Sequence, residues 1–284
     1  MGLNRSLIGK QYPPQDYGVT AEATMKYARA YNEDNPCFLD PSRSGGIIAP
    51  PMFGVVMGWL PIMLVMTDNE LGADLLRLLH LEQDMYFYRP VAPGDIVTCT
   101  AKILGIEEKA SGESAVVEVR SVNQRGEAVL QMLFTAFIRS GRRKERRDED
   151  QLEESPQAEP LFRVAQVVDA DQTYRYAQAS GDHNPIHLDE NTARLAGLPG
   201  IIVHGLCTMA FASKVMIDHL CNRDPRRLKR LRAHFSRPVF PRQTVTTAVW
   251  TQPDRDGLKV YAYKTVNPEG KAVIKEGMVE VVAV

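Results

Sequence analysis

Apolar and polar positions run along this chain in two similar series. VTAEATMKYARAYNEDNP (19–36) is answered by VDADQTYRYAQASGDHNP (168–185), 149 positions later. FYRPVAPGD (87–95) is answered by FSRPVFPRQ (235–243), and SVNQRGEAVL (121–130) by TVNPEGKAVI (265–274). Three matches in the same order, with offsets drifting from 149 to 148 to 144, indicate a duplicated unit altered by small insertions and deletions. Each copy predicts the same elements. A short helix opens at an N-cap, Thr20 in the first copy and Asp169 in the second, and carries Tyr-Ala-x-Ala near its end. A loop with Asn-Pro follows, then a Gly-rich apolar segment, then three long β stretches. In the second copy these fall near 242–252, 257–266 and 271–283, the last two joined by the turn Asn-Pro-Glu-Gly.

The apolar segments set the architecture. Residues 45–66 hold 22 positions without a charge, long enough to span a bilayer. Pro50, Pro51 and Pro61 interrupt them, and each interior proline costs a helix roughly 3 kcal/mol. A buried helix beginning after Pro51 accounts for the segment without a membrane span. Its counterpart, GIIVHGLCTMAFASKVMIDHL (200–220), is apolar on most sides and must be buried on most faces. A long helix wrapped by an antiparallel sheet is the simplest packing for one such helix with several strands, which makes each copy an α+β unit. Between the copies, GRRKERRDEDQLEESPQAEP (141–160) lacks apolar periodicity, and its five basic residues are met by six acidic ones before Ser155. It reads as a solvated linker between domains at 1–140 and 161–284.

Composition narrows the functions. The 284 residues suit two domains, and 34 basic against 35 acidic residues give no field that would draw nucleic acid or an anionic membrane. Cys37, Cys99, Cys207 and Cys221 form no C-x-x-C pair and lie in or near apolar runs, as reduced thiols of a cytoplasmic protein would. The first residues lack the apolar core of a secretion signal.

The densest polar chemistry lies in SGDHNPIHLDE (180–190). Gly181 and Asn184-Pro185 disfavour continuing the preceding helix, so Asp182 and His187 sit on a loop where a turn can bring them together. Three readings compete. His183 and His187 have the spacing of a zinc motif, with His204 or Asp189 as a third ligand, but that motif needs a helix, which is not expected here. Alternatively, Asp182 only caps its own turn and His187 lies on the surface. The third reading is an acid/base pair arranged for proton transfer.

The run G-D-H-N-P-I-H, preceded by Tyr176-x-x-Ala179-Ser180 and followed by G-I-I-V-H-G, resembles the signature of the MaoC-like, R-specific enoyl-CoA hydratases of the hydratase 2 group. The resemblance covers essentially the whole chain. It implies a double hotdog fold, two tandem units each with a long central helix inside an antiparallel sheet. It implies a hydro-lyase interconverting trans-2-enoyl and (3R)-3-hydroxyacyl thioesters of CoA or acyl carrier protein, with no cofactor and no metal. Asp182 and His187 match the catalytic pair, and Gly205 matches the glycine whose N–H holds the thioester oxygen. Ser213 matches a supporting serine, and Asn184 lies within the motif. His204 is either a supporting partner or simply the start of the helix.

That chemistry suits these residues. Adding water across an enoyl thioester needs a base for the water and an acid for C2, which one pair can supply around one water. Negative charge develops on the thioester oxygen, where N–H groups at a helix start stabilise it. In the first copy Glu33, Phe38 and Pro50 stand opposite Asp182, His187 and His204, so that copy is expected to be inactive and to hold substrate. Met52, Phe53, Met57 and Trp59 are its candidates for an acyl tunnel, with core packing the simpler role for most of them. Arg89, Arg237 and the basic run 223–232 are candidates for the carrier's phosphates, or pair with carboxylates as ordinary surface. A hotdog thioesterase and a non-catalytic acyl-binding subunit are the rival functions. Exposed sheet edges make a homodimer a further expectation.

Overall fold

The computed structural model describes residues 2–140 and 159–283; all but the last two residues of the expected linker lie outside them. The first half runs β1 (Gln15–Gly18), α1 (Ala21–Ala30), α2 (Pro36–Leu39), α3 (Gly54–Met57), α4 (Trp59–Met66), β2 (Leu78–Phe87), β3 (Ile96–Lys109), β4 (Gly112–Asn123) and β5 (Ala128–Arg139). The second runs β6 (Phe162–Val167), α5 (Gln172–Ser180), α6 (Glu190–Leu195), α7 (Gly205–Leu220), β7 (Leu228–Phe235), β8 (Thr244–Arg255), β9 (Leu258–Val266) and β10 (Ala272–Val282).

All ten strands join one antiparallel sheet in the order β1-β3-β4-β5-β2-β7-β10-β9-β8-β6. Each half has the same internal order, and the halves meet where β2 pairs β7, from Glu82 opposite His234 to Tyr86 opposite Arg230. This is the double hotdog arrangement. Alternation builds the core: Val97, Cys99, Ala101 and Ile103 are fully buried at every second position of β3. Across the helical layer, α1 packs on α5 through Tyr27 and Tyr176, two residues that occupy equivalent positions in the repeat. Their hydroxyls lie 3.0 Å apart.

The sequence placed no strand at 78–87 or 228–235, although these form the junction. Their charges hid them. Arg230 contacts Asp84 at 2.8 Å and Glu280 at 3.1 Å, and Arg232 contacts Glu82 at 2.7 Å. The basic run 223–232 is therefore largely committed to carboxylates, with Arg223 on Asp34 and Arg226 on Asp224.

Two other expectations are corrected. The second-copy helix starts at Gln172 with Asp171 as N-cap, while the Asp169 carboxylate takes Arg175 at 2.6 Å. Thr20 does cap α1, accepting the Ala23 N–H. The first-copy central helix is not continuous: a 3-10 turn at Pro51–Phe53 leads to α3, and Gly58 separates α3 from α4. Pro61 offers no N–H to the Met57 carbonyl, which places the break, and a side chain at Gly58 would run into the Met132 methyl. By contrast α7 is unbroken and buried along nearly its whole length. Among the described residues no helix is long and apolar enough to cross a membrane, and all four cysteines are free.

Candidate active site

The loop that follows α5 is shaped by its own sequence. Gly181 closes the helix at φ +80°, a left-handed conformation that favours glycine, and donates its N–H to the Ala177 carbonyl. Asp182 Oδ1 then accepts the Asn184 N–H, and Asn184 Oδ1 accepts the Ile186 N–H. These two turns start a 3-10 helix, Pro185–His187, that carries His187 inward, where it is buried. The capping turn expected of Asp182 is present, and it occupies one carboxylate oxygen while His187 is placed beside it.

His187 Nδ1 lies 2.7 Å from the Ile202 carbonyl. A carbonyl only accepts, so Nδ1 carries the proton and Nε2 keeps its lone pair. His204 Nε2 donates in the same way to the Asp182 main-chain oxygen at 3.0 Å. One ring nitrogen of each histidine and one Asp182 carboxylate oxygen lie within 4.8 Å of one another. Burial lowers the pKa of His187, partly offset by the Asp182 charge. Burial, with His187 beside it, lowers that of His204 to about 3. Both rings are neutral near pH 7.

Asp182, His187 and His204 form the cluster best able to hold a metal among the described residues, but their orientation does not suit one. The two rings stack at 3.8 Å with planes inclined by 26°. A metal binds along the lone pair in each ring plane, about 2.0–2.1 Å from nitrogen. Planes so nearly parallel meet far beyond that distance. His183, the other ligand of the zinc reading, is exposed.

The start of α7 faces the pair. His204 is its N-cap residue but makes no side-chain cap, because its ring is turned to Asp182. The His204 carbonyl takes the N–H groups of Cys207 and Thr208. Those of Gly205 and Leu206 are left at the cleft with no partner among the described residues. A sixteen-residue helix directs its positive end here, a ready site for developing negative charge. A side chain at Gly205 would lie 3.3 Å from the Phe235 ring, narrowing the approach.

The pair opens on a cleft of about 590 Å³. Asp182, His183, Asn184, His187, His204, Gly205, Thr208 and Arg237 line its second-half side. The first half adds Trp59, Ile62, Met63 and Met66 from α4, Leu75, Leu78, Leu79 and His80, and Phe134 and Arg139 from β5. Of the expected acyl-lining residues, Trp59 is at the cleft. Met52 and Phe53 are not: both are fully buried, and Phe53 packs edge-on against Tyr17 and Tyr27. Ser213 is also buried, two turns along α7 and away from the cleft; the helix hydroxyl that lines it is Thr208. The sequence missed the 75–81 wall because no strand was expected there, and Thr208 because nothing in an apolar helix marks which hydroxyl faces the cleft.

Arg89 does not line this cleft either. It lies at a second cavity of about 50 Å³, 3.5 Å from Glu127 and donating to the Ala128 carbonyl. Phe87, Arg89, Val91 and Val129 line that cavity as Phe235, Arg237, Val239 and Val273 line the large one. It is the first copy's counterpart of the cleft, now nearly filled. Phe38 is buried where His187 would be. Glu33 accepts the N–H groups of Asp34 and Asn35, and Lys214 of α7 approaches it at 3.4 Å.

Sequence and structure comparisons bear on the family and the fold. The model for a MaoC-like domain matches residues 151–271, and that for a FAS1-like dehydratase domain region matches 6–132. The chain is 28% identical to a probable enoyl-CoA hydratase 2 of Dictyostelium discoideum, over 96% of this chain and 95% of that one. It is 31% identical to 3-hydroxyacyl-thioester dehydratase Y of Mycobacterium tuberculosis, over 72% and 73%. A crystal structure of a MaoC-like dehydratase from Phytophthora capsici superposes with a TM-score of 0.82 at 22% identity, covering 100% of this chain and 98% of that one. The fold is a double hotdog, with Asp182, His187 and His204 gathered at the start of α7. The chain belongs to the MaoC-like dehydratase family.

Proposed function

We propose that this protein is a hydro-lyase that adds water to trans-2-enoyl thioesters, and removes it from (3R)-3-hydroxyacyl thioesters, with CoA or acyl carrier protein as carrier. The observation that carries this reading is the Asp182–His187 pair beside the open N–H groups of Gly205 and Leu206, at the mouth of an apolar cleft.

A water held between the Asp182 carboxylate and His187 Nε2 loses a proton to the pair as its oxygen bonds to C3. C2 receives a proton from the pair, so Asp182 and His187 end with the protonation they began with. Electron density from the double bond moves onto the thioester oxygen, where Gly205 and Leu206 N–H groups hold it. Losing one such donor typically costs about 2.7–4 kcal/mol of barrier. His204 is a positioning residue, fixing the Asp182 main chain with one nitrogen and backing the His187 ring with its face.

In this reading residues 161–284 are the catalytic half and 1–140 the half that holds the acyl group. The first-half wall of Trp59, Ile62, Met63 and Met66 and the cleft's volume suit a long or bulky acyl chain. Arg237, at the cleft, is the better placed of the two arginines for a carrier phosphate. The four free thiols suit a reducing compartment such as the cytoplasm, and the outer strands β1 and β6 offer edges for a homodimer.

The test is an assay of purified protein with trans-2-enoyl-CoA, following loss of the enoyl band and release of thiol separately. Band loss without thiol is expected. Thiol release would instead make it a thioesterase.

A further inference from the structure

The residues ahead of β1 run antiparallel along the distal part of β3. Gly9 N donates to the Ile103 carbonyl, Ile103 N to that of Lys10, and Tyr12 N to that of Ala101, at 2.8 to 3.1 Å. From this track two side chains reach the connection between α4 and β2. Lys10 Nζ lies 2.7 Å from Asp68 Oδ2 and 2.8 Å from Glu70 Oε2. The Tyr12 hydroxyl donates to the same Asp68 oxygen at 2.6 Å. Further in, the Asn4 N–H donates to the Leu71 carbonyl, and the Leu71 side chain is fully buried.

This connection joins two walls of the cleft. Met63 and Met66 precede it on α4, and Leu75, Leu78 and Leu79 follow it. Leu75 and Leu79 remain 46% and 37% exposed, so burial does little to hold them in place. Pairing with Ile138 and Phe137 of β5 holds Leu78 and Leu79, and the clamp at Asp68 and Leu71 holds the stretch ahead of Leu75, through a segment that does not line the cleft.

We propose that Asp68, clamped by Lys10 and Tyr12, is a specificity-determining positioning residue. The N-terminal segment fixes the first-half wall of the acyl cleft and thereby sets how long an acyl group the site accepts. This rests on the hydratase reading above, since it is the acyl end of that cleft which the clamp shapes.

The experiment compares crotonyl-CoA with trans-2-hexadecenoyl-CoA on the full chain, for wild type, Tyr12→Phe, Asp68→Asn and Lys10→Arg, with melting temperatures alongside. Tyr12→Phe and Asp68→Asn are expected to lose roughly tenfold in kcat/KM for the long substrate, through KM, the scale of one lost charge-assisted hydrogen bond. Crotonyl-CoA turnover stays unchanged, and Lys10→Arg, which keeps the charge, stays near wild type for both. Parallel losses with the two substrates, or no loss with either, overturn the proposal. If wild type turns over neither substrate, the hydratase reading fails instead. Calorimetric binding of short- and long-chain acyl-CoA to the same variants then decides the role of the clamp, selective weakening for the long chain supporting it and equal binding overturning it.

Discussion

The His187 ring lies against that of His204 at 3.8 Å, and each histidine spends one nitrogen on a backbone carbonyl, Ile202 for His187 and Asp182 for His204. The stack thus links both members of the proposed pair, Asp182 and His187, to the residue just ahead of Gly205. Replacing His204 removes the hydrogen bond to Asp182 and the face behind His187 together. His204→Ala is expected to lose about a hundredfold in kcat, the effect of displacing a reacting group by about 1 Å. Steady-state kinetics checks this, and His204→Gln, which keeps a donor, should recover part of the loss.

Asp182→Asn separates chemistry from folding. The Asn side-chain oxygen still accepts the Asn184 N–H, so the turn survives while the carboxylate is gone. Turnover is expected to fall by about 10²–10⁴-fold, the contribution of general acid–base catalysis, with the melting temperature unchanged. Full activity in this variant contradicts the mechanism.

His187 and His204 make stability fall in mild acid. Both have pKa values lowered by burial, so the unfolded chain, with histidines near 6.5, binds protons that the folded chain does not. Their contribution is complete above pH 6.5 and declines as pH falls from there toward the folded values, about 3 for His204. For His204 the slope approaches about 1.4 kcal/mol per pH unit between those values. Denaturant melts at pH 7.5, 6 and 5 measure it. Because burial lowers the His187 pKa, the acid limb of kcat/KM should be centred below pH 6.5, the ordinary histidine value.

The β2–β7 junction depends on Arg230, whose side chain is 14% exposed against 6% for Asp84. Asp84→Asn leaves Arg230 with Glu280, 3.1 Å away, as its remaining carboxylate. The variant is expected to cost about 1.5–3 kcal/mol in urea unfolding, the scale of a hydrogen bond to a charged group.

Much of this fold is legible in the sequence because duplication leaves its mark in backbone-determining residues. Asn-Pro recurs at 35–36 and 184–185, Tyr27 recurs as Tyr176, and a positive-φ turn recurs with Asn32 at +60° opposite Gly181 at +80°. The closeness of Asp182 and His187 is legible because they lie five positions apart on one loop. Residues whose role depends on a distant partner are not. Whether Arg230 and Arg232 meet phosphate or carboxylate is undecided in the sequence, because their partners Asp84 and Glu82 lie about 150 residues away on β2. Met52 and Phe53, tunnel candidates with core packing as the simpler role, are core, and Trp59 of α4 reaches the cleft. Ser213 matches a motif position yet lies away from the cleft, while Thr208, nearer the helix start, lines it.

The most direct test of the account is the enoyl-thioester absorbance of trans-2-enoyl-CoA mixed with wild type and, in parallel, with His187→Ala. The account predicts that wild type removes the band without releasing thiol and that the product is the (3R)-3-hydroxyacyl thioester, while the variant leaves the band in place. Band loss at the same rate with His187→Ala would contradict it.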